Sequence, residues 1–369
     1  MANMIDYVKW RGDISFSESS FNVIDALIFS ELSYVHFEDL VPASINSKGI
    51  SLSVLAEKYF SLHYDSNKLG AIIPTEAITE LFRLASLSRR FSNVCARGFV
   101  NEIDIKAEKQ FSAICFDIDK DITVVTFRGT DDTIIGWKED LNMAFFTPIP
   151  AQKHAFEYLS SVLSRGNKCS YYVCGHSKGG NLATYSALKV DKKYQNKIVA
   201  VYNFDGPGFK QDFLDTEKSN VIISKLNKIC PNGAIIGAIF DSFVDIKYTK
   251  SNAKGLYQHD AFTWEVLGKD FVYATHPTKS SIDFHNTLNN WVGALSEKEK
   301  IEFVDALYKM LTANDTSTLT DITADKTGFL KGVLKTDDKT KKTLFNLLNK
   351  LVKEKYLKKD TNKKSGNNN

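Results

Sequence analysis

Between Tyr171 and Val190 the chain reads "YYVCGHSKGGNLATYSALKV". Ser177 has Gly175 and Gly179 two places to either side, an apolar run before it and a helix-forming run after it. This is G-x-S-x-G in a strand, turn and helix setting, where a sharp, strained turn lifts a serine hydroxyl clear of a sheet. The glycines remove β-carbons that would collide with the adjoining strand and helix. The same turn aims a helix N-terminus, with unpaired N–H groups, at the place where negative charge develops during acyl transfer. Ser177 is the candidate nucleophile and the backbone N–H of Lys178 a candidate oxyanion donor. The bland alternative is a glycine-rich turn with a capping serine, and the flanking pattern argues against it.

A second oxyanion donor should come from a loop after an earlier strand. "VVTFRGTDD" ends such a strand: Gly129 lets the backbone pass close, and Thr130 offers its N–H and its hydroxyl. Arg128 is expected to brace this loop through Asp131 or Asp140, since a paired guanidinium makes a rigid fork. The hydroxyl needs a base, and the expected chain order is serine, acid, histidine. Of His259, His276 and His285, His259 lies in "KGLYQHDAF", a loop after the last expected parallel strand, where a histidine can swing over a serine; His285 falls in a predicted helix, and His276 precedes Pro277 in a link. His259 is the expected base. The expected acid is Asp205, directly after the predicted strand "KIVAVYNF" and before the turn "GPG", in preference to Asp241, Asp245 and Asp260. Its role would be to orient the imidazole and stabilise the imidazolium.

These residues must be carried by a scaffold, and the pattern supplies one. Residues 20–100 read as helical cover, with "NVIDALIFSELSYV" and "EAITELFRLASLSRRF" placing apolar residues at three- and four-residue steps. From Phe111, "FSAICFDI", "DKD" and "ITVVTFRG" form a β-hairpin pattern. A helix ending at Gly166, the strand before Ser177, the helix after it and the strand "KIVAVYNF" then alternate, and "VIISKLNKIC" offers a further strand. Alternation with short links means parallel strands joined by crossover helices. The fold class expected is α/β, with the central sheet between residues 110 and 265, short strands around Gly268 and helices at 280–312.

Composition sets the outer limits. The 369 residues are 43% hydrophobic and 25% charged, which is globular. Net charge is only +3, and no Arg/aromatic interleaving suggests nucleic acid. Cys95, Cys115, Cys169, Cys174 and Cys230 are odd in number and lack metal-ligand spacing, so they read as reduced core residues. No H-E-x-x-H or similar cluster supports a metal-dependent hydrolase, and no cofactor is called for. The charged N-terminus and the lack of a long apolar run lead to the expectation of a cytoplasmic protein. The tail "TKKTLFNLLNKLVKEKYLKK" sets Leu344, Leu347, Leu348 and Leu351 on one helical face, with ten lysines between Lys339 and Lys364. Such a helix could make peripheral contact with an anionic membrane; the reading preferred here docks its apolar stripe on the protein's own core. The division expected is a main domain at 1–310, a basic helical extension at 311–358 and a disordered end at 359–369.

"FRGTDDTIIGWKEDLNMAF", "GHSKGGNLA", "YNFDGPGF" and "GLYQHDAFTW", with "DYVKWRGDISFSESSFNVIDALIFSELSY" near the start, resemble a bacterial family of class 3 lipase-like α/β-hydrolases long catalogued as a domain of unknown function. The resemblance runs to about residue 310. It implies an α/β-hydrolase fold with Ser177 as nucleophile, His259 as base and "FRGT" as the oxyanion loop. One departure stands out. Class 3 lipases usually carry their acid after the strand that follows the "YNF" strand, and here that place reads "NGAIIG", with Gly233 or Ala234 in the carboxylate position. Either Asp205 has taken the role or the triad is incomplete. Two functions follow: a serine hydrolase cleaving a lipid or other small-molecule carboxylic ester through an acyl-enzyme, or a non-catalytic binding or scaffold protein that keeps the fold.

Overall fold

The computed structural model describes residues 1–62, 75–131, 133–165, 170–209, 213, 216–312, 317–318, 321 and 325–350. The expected helix end at Gly166, Cys169, Leu351 and the expected disordered end at 359–369 lie outside the described residues.

Nine strands form one sheet. Ahead of them come α1 (Met4–Arg11) and α2 (Val23–Leu32); β1 (Ile50–Ser51), α3 (Leu52–Leu62) and α4 (Thr75–Leu87) follow. Then β2 (Cys95–Asp104), β3 (Lys109–Asp117) and β4 (Ile122–Phe127) make an antiparallel meander, with β1 on its outer edge. After α5 (Ile134–Phe145) and α6 (Pro150–Ser164) the sheet turns parallel. β5 (Ser170–His176), β6 (Ile198–Phe204), β7 (Leu226–Pro231) and β8 (Ile246–Thr249) join β4 in order. The crossovers hold α7 (Lys178–Lys189), α8 (Lys192–Gln195) and α9 (Thr216–Ile223). β9 (Val266–Leu267) and β10 (Asp270–Phe271) form a separate hairpin, and β11 (Tyr273–Ala274) closes the far edge against β8. Then come α10 (Lys279–Ala294), α11 (Glu297–Leu311) and α12 (Lys326–Lys335). A mostly parallel sheet with helices on both faces and the serine turn after its second parallel strand is an α/β-hydrolase fold.

Strand alternation divides the core in two. Along β3, Phe111, Ala113 and Cys115 face a layer with Leu159 of α6 and Leu182 of α7. Ile114 and Phe116 face the opposite layer, with Phe29 of α2 and Phe82 of α4. In α2 every residue from Ile24 to Leu32 is buried, so this helix is a core element rather than an amphipathic cover. Its start is fixed by a capping box between Asn22 and Asp25, and Asp25 also holds Arg90 at 2.6 Å inside the core.

Three differences from the sequence expectation have physical causes. The sheet begins well before residue 110, because residues 95–100 are strand rather than helical cover. Gly98, at φ +66°, sits in a register shift between Arg97 and Val100, and this bulge hides the alternation. The run "VIISKLNKIC" splits into the end of α9 and a strand that starts at Leu226, since a short apolar run carries no clear period. Helix α5 was not anticipated; the Thr133 side chain caps it by accepting from Gly136 N–H.

A third apolar cluster joins Phe145 of α5, Trp291 of α10, Phe303 of α11, and Leu344 and Leu347 from the final helical run, 338–350. Trp291 Nε1 donates to Leu347 O at 3.1 Å. In the described part of the tail, Leu344 and Leu347 therefore rest on the protein's own core, while Leu348 of the same stripe is exposed. No helix among the described residues is long and apolar enough to cross a membrane.

Candidate active site

The parallel register brings the strand ends level: Phe127 pairs with Gly175, Gly175 with Asn203, His176 with Phe204, and Phe204 with Ile229. Whatever follows each strand therefore gathers along one edge of the sheet, where open α/β sheets place their sites. Ser177 follows β5, the 128–131 loop follows β4, Asp205 follows β6, and His259 lies in a short 3-10 turn after β8.

Ser177 adopts φ +57° and ψ −132°, a conformation that costs about 1–3 kcal/mol and persists only where the surroundings fix it. Its N–H donates to Phe204 O at 2.9 Å, and its carbonyl accepts from Gly180 N–H at 2.9 Å. The flanking glycines are needed for close approach: a β-carbon on Gly175 would stand 2.3 Å from Gly179 C, and one on Gly179 would stand 2.1 Å from Phe127 O. Asp205 is held the same way, at φ +48°, with its N–H donating to Ile229 O at 2.8 Å.

The side chains connect. His259 Nε2 lies 2.9 Å from Ser177 Oγ, and His259 Nδ1 lies 2.7 Å from Asp205 Oδ2. Asp205 is 1% exposed, and its other oxygen, Oδ1, accepts from the backbone N–H of Gly237 at 3.1 Å. Gly237 closes the "NGAIIG" segment, three residues beyond Ala234, so this segment supplies the acid with a hydrogen-bond donor and not with a second carboxylate. A β-carbon on Gly237 would stand 2.2 Å from Asp205 Oδ1. The sequence carries no local signal of this partner, which lies 32 positions away. His285 instead faces Ala238 O and lies apart from the serine contact network, while Asp241 bridges to Phe209 through the backbone.

On the other side of Ser177, Gly129 lets the β4 loop come close: a β-carbon there would stand 3.1 Å from Ser177 Cβ. Thr130, Ser177 and Lys178 line one cavity of about 280 Å³. The Thr130 and Lys178 N–H groups have no acceptor among the described residues. The Thr130 hydroxyl is committed to Asp140 Oδ2, so of its two anticipated donors only the N–H is spare. Arg128 braces the loop through Asn101 at 2.7 Å and Asp131 at 3.4 Å; the expected alternative partner, Asp140, serves Thr130 instead. Burial pushes the Asp140 carboxyl up to about 6, against the opposing pull of Lys178 and of the Thr130 hydroxyl.

The Lys178 side chain turns away from the cavity. Its ammonium sits 2.9 Å from Gln110 O and 3.1 Å from Glu139 Oε2, and it also donates to the Gln110 side chain. Glu139 in turn accepts from Gln110 N–H at 3.0 Å and Ala151 N–H at 2.9 Å. This buried pair ties the serine turn to β3, α5 and α6. Away from Ser177 the cavity is apolar, walled by Leu141, Phe145, Ile236, Ile239, Leu288 and Trp291.

The sequence profile of the Mbeg1-like family matches residues 85–309. The chain belongs to the Mbeg1-like family. The matched stretch runs from α4 to α11 and contains Thr130, Ser177, Asp205, Gly237 and His259. No curated protein matches the chain. The solved structures similar to it include the following two. One is M37 lipase, at 15% identity and TM-score 0.33, covering 58% of this chain and 68% of that one. The other is a fungal lipase–inhibitor complex, at 14% identity and TM-score 0.35, covering 67% of this chain and 78% of that one.

Proposed function

We propose that this Mbeg1-like chain is a serine hydrolase that cleaves a carboxylic ester with an apolar acyl group. The observation that carries the reading is the unbroken run of hydrogen bonds from Ser177 through His259 to Asp205, at the edge of an apolar cavity. In this reading Ser177 Oγ attacks the ester carbonyl while His259 Nε2 takes its proton. Asp205 accepts from His259 Nδ1–H and stabilises the imidazolium. The N–H groups of Thr130 and Lys178 donate to the oxyanion. His259 then returns the proton to the departing alcohol, and water, activated by the same imidazole, releases the acid from the acyl-enzyme. Asp205 beside His259 favours this reading over a non-catalytic scaffold, whose ground is the "NGAIIG" position that lacks a carboxylate.

The test is labelling by a fluorophosphonate probe together with hydrolysis of short-chain p-nitrophenyl esters. Labelling should vanish in Ser177→Ala and fall strongly in His259→Ala. Folded wild type that neither labels nor turns over, with or without detergent, would refute the proposal.

A further inference from the structure

Directly beneath the imidazole of His259 lies a second histidine that the proposed mechanism does not use. His176 precedes the nucleophile in the chain, and its side chain is 2% exposed. Its ring centroid is 4.7 Å from that of His259, with planes 31° apart. Its Nε2 lies 2.9 Å from the backbone carbonyl oxygen of His259. A carbonyl only accepts, so Nε2 must carry a proton. The other nitrogen, Nδ1, stands 3.2 Å from Glu31 Oε1 of α2; both atoms are buried, and neither has a hydrogen-bond partner among the described residues.

Two unpartnered polar atoms buried this close are costly, and a hydrogen bond across the gap would satisfy both; it needs one proton, placed either on the imidazole or on the carboxyl. A charged pair would set a cation against the ring that must itself become a cation when Ser177 loses its proton. Burial works against that arrangement at both ends. It pushes the Glu31 carboxyl well above its usual range, helped by the nearby Asp260, and drives His176 well below its own. The groups facing the pair are Asp260 and the Tyr34 phenol on the Glu31 side, and His259 and Trp264 on the His176 side. None of these is a cation that would favour the ionised carboxylate, except His259 once protonated.

We infer that Glu31 is a neutral carboxylic acid that donates its O–H to His176 Nδ1, fixing His176 as the neutral Nε2–H tautomer that holds the His259 backbone in place. Glu31 and His176 are positioning residues. They keep the His259 turn over Ser177 and keep a competing positive charge away from it. The inference deepens the hydrolase reading and rests on it for its catalytic meaning, but not for its structural test.

That test compares wild type with Glu31→Gln and Glu31→Met in the full chain. The glutamine amide can donate to Nδ1 as the acid does, whereas methionine fills the space and donates nothing. Spectra of [¹⁵N]histidine-labelled protein between about pH 5 and 9 should show His176 neutral and protonated on Nε2 in wild type and Glu31→Gln, with mixed tautomers in Glu31→Met. With p-nitrophenyl ester, Glu31→Gln should stay within about threefold of wild-type kcat and share its pH profile, while Glu31→Met should lose about tenfold or more in kcat with little change in KM. A doubly protonated His176 in wild type would overturn the inference. So would a Glu31→Gln variant that is folded yet as impaired as Glu31→Met. If wild type hydrolyses nothing, the functional reading fails and the spectra still decide the tautomer. If Glu31→Met does not fold, the glutamine variant alone carries the test.

Discussion

Lys178 contributes two groups to the structure, and a substitution can separate them. Its backbone N–H is the proposed oxyanion donor, while its ammonium is buried against Gln110 and Glu139 on the far side of the turn. At 3.1 Å and an effective dielectric near 20, the Lys178–Glu139 attraction is about 5 kcal/mol before desolvation. Removing one partner of a buried pair typically costs about 3–5 kcal/mol, because the other charge is left uncompensated. Lys178→Met should therefore lower stability by about 3–5 kcal/mol. Glu139→Gln added to it should restore part of the loss, since it removes the stranded charge while its single amide oxygen still accepts from one of the two N–H groups, Gln110 or Ala151, that the carboxylate meets with separate oxygens. Urea unfolding, with midpoint and slope fitted separately, measures both steps. Activity per folded molecule should change far less than stability in either variant. A Lys178→Met protein of wild-type stability but without ester hydrolysis would refute the assignment, because the ammonium and not the backbone would then be serving the reaction.

Gly237→Ala should displace Asp205, since the new methyl would stand 2.2 Å from Asp205 Oδ1 and 2.6 Å from Cys230 Sγ. We expect kcat to fall by about 10²-fold or more while Ser177 still labels slowly with fluorophosphonate, and a crystal structure should show the acid moved. Asp140 provides a pH signature. Its folded-state carboxyl, at about 6, lies above the ordinary value, so the folded protein keeps a proton the unfolded chain releases between roughly pH 4 and 6. Stability should accordingly fall as pH rises through that window, by about 3 kcal/mol for a shift of about two in pKa. Asp140→Asn should match wild type near pH 4 and exceed it by up to that amount at pH 7, read from paired urea titrations.

The residues proposed to react were legible because their signals are local. A serine between two glycines, a loop histidine and a turn aspartate each announce themselves within a few positions, and the parallel sheet that gathers them follows from alternation. What stayed hidden depends on distant pairing. Nothing around Gly237 says that its N–H meets a carboxylate more than thirty residues earlier. Glu31 left a trace: a carboxylate in "DALIFSEL", surrounded by apolar residues at helical spacing, is a charge on a face that should be buried. Read as half-exposed cover, α2 gave no reason to look for its partner; only its complete burial makes that carboxyl conspicuous. The β2 strand was masked by its own bulge at Gly98.

The position of α1 and α2 also bears on how the chain acquires its structure. They are synthesised before the strands they pack against, and their partners come much later in the chain. Phe21 stacks on Tyr172 at 4.1 Å, Phe29 meets Phe116 at 5.0 Å, and Asn3 Nδ2 donates to Phe262 O at 2.8 Å. The apolar face of the N-terminal segment is therefore completed only after β3 and then β5 have been synthesised, and its polar anchor to Phe262 only later still. Non-local closure of this kind slows folding and exposes sticky surface while it is pending. It also means that the 85–309 stretch matched by the family leans on residues that precede it, Phe29 and Phe82 among them, for one of the two core layers of its sheet.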